Sequence, residues 1–167
     1  LGDSTYDNIY EKGNQLTVMA LSLQNSMNAV NASTDNSKDY FESIAEELEK
    51  SYAALETKGL VDIESADFIS AVVENVIAKK ASSISADIKG NLKTAISSVL
   101  PIIQVKSSSS TTTAIQNFGF DTLQKDIDSI AKGTASAEII QNYTSDILNY
   151  ISVDQNIEVA DLEVDIT

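Results

Sequence analysis

The side chains available for chemistry in this chain are carboxylates, hydroxyls and lysine amines, because it holds neither Cys nor His. That removes a thiol nucleophile, an imidazole base and a zinc site of the usual kind. Glu42, Glu46, Glu47 and Glu49 crowd one short stretch, and their spacing reads as the solvent side of a helix. The like-charge pair Glu42 and Glu46 costs only a few tenths of a kcal/mol there, and Glu46 to Lys50 returns about as much. A serine nucleophile would need a lysine partner, and Lys79-Lys80-Ala81-Ser82 lacks the S-x-x-K order which that chemistry uses. No phosphate-cradling glycine motif occurs. Asp154, Glu158, Asp161, Glu163 and Asp165 form an acidic run that could attract calcium, but no glycine sits among them as calcium loops require. No catalytic residue, metal, cofactor or small-molecule substrate is inferred, and the chain reads as not an enzyme.

The elements that carry these acids read as helices. Tyr40, Phe41, Ile44, Ala45, Leu48, Tyr52 and Leu55 recur at helical spacing with acids on the other faces, and Ile63, Ala66, Ile69, Val72, Val73, Val76 and Ile77 make a second stripe. Between them lies Lys58-Gly59-Leu60-Val61-Asp62. Gly59 reads as the residue closing the first helix, and Asp62 as the N-cap of the next. A turn this short makes the helices antiparallel neighbours. This hairpin, Tyr40 to Ala81, is the organising unit of the sequence.

Before it, Tyr6, Ile9, Tyr10, Gly13, Leu16, Met19, Ala20, Leu23, Met27 and Val30 predict one long helix opened by a Ser4/Asp7 capping pair. Gly13 marks a close helix crossing in that reading. After it, a stripe from Ile84 to Leu100 is expected to end or kink at Pro101. Residues 107–113 are a Ser/Thr-rich loop. Asp121 with Gln124 starts a further helix that Gly133 closes, Phe118-Gly119-Phe120 plugs the core before it, and Ile139 to Ile151 makes the last helix. The expected fold is an all-α bundle of about five or six helices over 1–152, followed at 153–167 by an acidic tail that alternates aliphatic and acidic residues and forms a short strand or stays disordered.

The chain has 167 residues, enough for one domain with an ordinary core, and a formal net charge of -14 from 25 acids and 11 bases. Every base is lysine. Such a charge repels nucleic acid and anionic membranes and favours solubility at high concentration. No run is long and apolar enough to span a bilayer. The absence of an initial Met suggests a piece of a longer protein. Of two N-x-[ST] sequons, Asn31-Ala32-Ser33 reads as the acceptor, since Asn142 falls inside a helical pattern.

The order of a Tyr-bearing helix (Tyr40 to Lys58), a Gly-aliphatic turn (Gly59 to Asp62), an Ala/Ser-bearing helix (Glu64 to Ser82) and Ser-Ser-Val-Leu-Pro (Ser97 to Pro101) resembles the helical repeat or spacer domains of spider silk proteins, the spidroins. The tail Asp161-Leu162-Glu163-Val164-Asp165-Ile166-Thr167 is similar to the acidic spacers of capture-spiral silk. The chain departs from spidroin repeats in being richer in charge and in lacking poly-Ala and Gly-Gly-x runs. What the resemblance implies is a secreted structural repeat module that is soluble at neutral pH and associates with its own copies in a fibre or glue on acidification. A physical mechanism accompanies it: Glu42, Glu46, Glu47 and Glu49 would protonate first as pH falls toward 4, and the tail acids Glu158, Asp161, Glu163 and Asp165 would then cease to block edge pairing. The competing expectation is a helical binding module of a secreted or surface protein, such as an adhesin or exported effector fragment.

Overall fold

The computed structural model describes residues 4–31, 36–56, 59–105 and 120–145. The described residues form an all-α bundle with no strand among them. In chain order the helices are α1 (Ser4–Asn31), α2 (Ser37–Ala54), α3 (Ala66–Lys80), α4 (Ala86–Val105), α5 (Phe120–Ala131) and, after a 3₁₀ turn at Ala137–Ile139, α6 (140–145). The expected tail, the Ser/Thr-rich loop and Phe118-Gly119 lie outside the described residues.

α1 is the central element and touches α2, α3, α4 and α5. Its buried face is Val18, Met19, Ala20, Leu23 and Met27, which join α3, α4, α5 and Tyr143 of α6 in one apolar core. The core forms where aliphatic residues repeat at three and four. α3 supplies Ile69, Val72, Val73, Val76 and Ile77, α4 supplies Leu92, Ala95, Ile96, Val99 and Leu100, and α5 supplies Leu123, Ile127 and Ile130.

Two stripes differ from their sequence pattern. Ile9 and Tyr10 belong to the long stripe of α1, yet they are 66% and 61% exposed, because burial on this helix begins near Gln15. In α2 the inward face is Tyr40, Ser43, Ile44 and Glu47, while Phe41 and Tyr52 face outward. The helix is rotated so that small and polar residues meet α3. Gly13 does not mark a crossing, for a Cβ built there would meet nothing within 4 Å.

Several helix boundaries also move. α2 ends at Ala54 with Leu55 as an extended C-cap, so Gly59 lies beyond the helix terminus and does not close it. Asp62 is not the N-cap of α3. That role belongs to Ser65, whose Oγ accepts from Phe68 N at 3.2 Å. Asp62 instead builds the preceding turn: its Oδ1 accepts from Glu64 N at 3.0 Å, and its carbonyl accepts from the Ser65 hydroxyl at 2.8 Å. Either residue type serves as a cap, and the burial of Ile63 and Phe68 selects the later one.

α4 runs through Pro101 to Val105. Proline in a helix interior carries a cost of about 3 kcal/mol, and the buried Val99 and Leu100 just before it hold the segment helical. α5 begins at Phe120, which places Asp121 inside the helix, and Gln124 donates to Asn25 Oδ1 of α1 at 2.7 Å. A side chain expected to cap its own helix thus ties α5 to α1.

Gly133 does close α5. Its φ is +70°, its N–H donates to Ile130 O at 2.9 Å, and Thr134 N donates to Ser129 O at 2.9 Å. These are the paired bonds of a left-handed helix stop that glycine adopts without strain. Gly133→Val is expected to lower stability by about 1–2 kcal/mol, read as a shift in the urea midpoint.

Candidate functional site

The acids singled out in the sequence fall on α2, and the structure sets two of them against α3 in a polar seam. From one end, Lys80 Nζ donates to Asp39 Oδ2 at 2.6 Å and lies 5.6 Å from the centre of the Tyr40 ring. Next, Lys79 Nζ reaches Glu46 Oε2 at 2.5 Å and Ser43 Oγ at 3.4 Å. Asn75 Nδ2 then bridges Glu46 Oε2 at 3.1 Å and Glu47 Oε1 at 2.7 Å. Lys50 Nζ closes the seam on Glu47 Oε1 at 2.6 Å. As the numbers rise along α2 they fall along α3, the order expected of antiparallel neighbours.

Glu46 and Glu47 depart from the reading of the four acids as one solvated run that protonates first. Glu47 is buried, only 8% exposed. Burial pushes its carboxyl up, but the Lys50 and Asn75 hydrogen bonds outweigh that and leave it below the ordinary range. Lys79, then Asn75, hold Glu46 below its ordinary value, and Lys80 does the same for Asp39. Glu42 and Glu49 are exposed, Glu42 pairing with Lys38 at 3.3 Å within its own helix. The seam is therefore made of Asp39, Ser43, Glu46, Glu47, Lys50, Asn75, Lys79 and Lys80, and Glu42 and Glu49 lie outside it.

The sequence does not single out Asp39 or Asn75, and Lys79 and Lys80 enter it only as a stretch lacking the S-x-x-K order. The signal that would have found them is the hairpin itself, since folding the chain about Leu60 sets 39 opposite 80 and 46 opposite 75. Glu64, at the start of α3, is held in the same way by Lys12 Nζ at 2.9 Å and by Gln15, and its carboxyl too lies below the ordinary value, chiefly through Lys12. Lys93 pairs with Glu74 at 2.6 Å between α4 and α3.

The seam does bring a serine and a lysine together, Ser43 and Lys79. Its chemistry is not that of a nucleophile and base, because Lys79 is engaged by the Glu46 carboxylate and the Ser43 hydroxyl donates to Asp39 O at 3.1 Å. Among the described residues no group of three acids is placed to hold a metal ion, and no helix is long and apolar enough to cross a membrane. The tail acids Glu158, Asp161, Glu163 and Asp165, like Asp154, lie outside the described residues. Of the sequons, Asn31 ends α1 and its Nδ2 donates to Lys80 O, and Asn142 lies exposed on α6.

Among the described residues, three openings flank the bundle, one of them a site of about 240 Å³ between α3 and α4. A second, of about 520 Å³, lies between α4 and residues 137–145 and is lined by Thr94, Ser98, Glu138, Gln141 and Thr144. Its hydroxyls do not converge on a ligand: Thr94, Ser98 and Thr144 each donate to a carbonyl of their own helix at 2.7 to 3.0 Å. The third, of about 300 Å³, is a notch where α2 ends and α3 begins, lined by Leu55, Val61, Asp62, Asp67, Phe68 and Ala71.

Fold and seam together define an acidic helical bundle most of whose lysines pair with its own carboxylates. At least seven of the 11 lysines are so engaged. Comparison with family models, with curated protein sequences and with solved structures gives no match.

Proposed function

We propose that the chain is a structural, non-catalytic spacer or repeat module of a secreted silk-like fibre or glue protein, soluble at neutral pH and associating with its own copies on acidification. The observation that carries this reading is the disposition of charge. With most lysines tied to carboxylates of the same bundle, the surplus behind the net charge of -14 is left to act between molecules. Like-charged copies repel at neutral pH, which keeps them apart at high concentration.

Acid reverses this in two stages. Acidification protonates carboxylates, and their loss of charge removes the repulsion. Asp39, Glu46, Glu47 and Glu64 hold their protons off to lower pH because lysines and amides stabilise their charged forms. Copies would then meet as folded bundles. Light scattering on the whole chain and on residues 1–152, followed from pH 7 to 4, tests the proposal. Association is expected near pH 4, weaker without residues 153–167; two monomers throughout would overturn it.

A further inference from the structure

We infer that the end of the bundle where α1 begins, α2 ends and α3 begins is a docking surface for a basic amphipathic segment of another polypeptide. The three helices are joined there by Lys12 and Gln15 on Glu64 and by the notch of about 300 Å³ between Leu55, Val61 and Phe68. At the start of α1, the end of α2 and the turn before α3 large apolar side chains are exposed: Leu60 is 94% exposed, Ile9 66%, Tyr10 61% and Tyr52 44%. The other large apolar residue so exposed among those described, Phe41, stands at the opposite end of α2. Exposed apolar residues gathered at one end mark an interaction site more than single ones scattered over a surface do.

Charge selects the occupant. Among the described residues, Glu11, Glu49, Glu56, Asp62 and Asp67 are exposed at this end and Glu64 joins them, against Lys12, already on Glu64. Lys50 is taken up by Glu47. A second copy of the chain would bring the same acids to the contact, and an anionic lipid surface would be repelled. A helix with aliphatic residues on one face and Lys or Arg beside them meets both demands: an aliphatic side chain enters the notch and the cations face Asp62 and Asp67. This surface lies away from the seam and does not depend on the fibre reading.

The test uses the whole chain and a labelled synthetic helix-forming peptide with Leu on one face and Lys on the other, followed by fluorescence anisotropy at low and moderate salt. Saturable one-to-one binding is expected. Leu60→Ser combined with Tyr52→Ser should weaken it about tenfold or more, as loss of apolar anchors does. Glu49→Gln combined with Glu56→Gln should weaken it less and flatten its salt dependence, and Phe41→Ser should leave it unchanged. All five sites are exposed, and circular dichroism melts check that each variant folds. Absence of binding, equal weakening by Phe41→Ser, indifference to the Leu60 and Tyr52 changes, or a dimer of the chain that buries these residues and excludes the peptide would each overturn the inference.

Discussion

Leu23→Ala is expected to lower the unfolding free energy by about 2–5 kcal/mol, whereas Ile9→Ala on the same helix should change it by no more than about 0.5 kcal/mol. Both residues lie on one apolar stripe of α1, so the pattern alone ranks them together. Their surroundings separate them: Leu23 is wholly buried at the centre of α1, and Ile9 is 66% exposed near its start. Truncating Leu23 removes apolar contact and leaves a hole that close-packed neighbours fill only in part. A loss of that size is a large share of the roughly 5–15 kcal/mol by which a domain is stable. Urea unfolding followed by circular dichroism checks it, with a lower midpoint at unchanged slope for Leu23→Ala.

The second large effect is on pH dependence. Asp39, Glu46, Glu47 and Glu64 have folded pKa values below their ordinary ones of 3.8 for Asp and 4.5 for Glu. For groups depressed on folding, the stabilising contribution is fully present above the unfolded pKa and is lost as pH falls through the folded one. The thermal midpoint is therefore expected to be flat from pH 7 to about 5, to begin falling near those ordinary values, and to keep falling below them. At this chain length each kcal/mol lost lowers the midpoint by about 2–4 °C. Lys79→Met combined with Lys80→Met removes the cations from Glu46 and Asp39 and should make the fall shallower. A midpoint that climbs as pH drops from 5 to 3 would show that these acids are destabilised in the fold.

How far the sequence carries the reading varies from element to element. The α3 stripe is legible from Ile69 to Ile77 because aliphatic residues fill that part of its inward face, whereas the buried Phe68 falls outside the stripe and Ala66 within it is exposed. The face of α2 is not, because Phe41 and Tyr52 weigh as apolar in any pattern while Glu47 weighs as surface, and only Lys50 and Asn75 make its burial tolerable. Asn75 is remote from Glu47 in sequence. Asp62 and Ser65 are both capable N-caps within one turn, so local chemistry cannot choose between them and packing of Ile63 and Phe68 does. Gly133 is legible because a left-handed stop nearly requires glycine. Pro101 misleads because a tertiary gain at Val99 and Leu100 offsets a local cost. The acids on α2 were visible as a group, but their division into clamped and free members depends on α3.

The proposed function rests on that division, with clamped acids keeping the bundle folded and the remaining carboxylates holding copies apart. Sedimentation velocity of the whole chain at pH 7 and pH 4, with circular dichroism on the same samples, tests it most directly. Monomer at pH 7 and larger species at pH 4 with helical content retained are expected. A monomer at both pH values, or association only after the helices have melted, would contradict it.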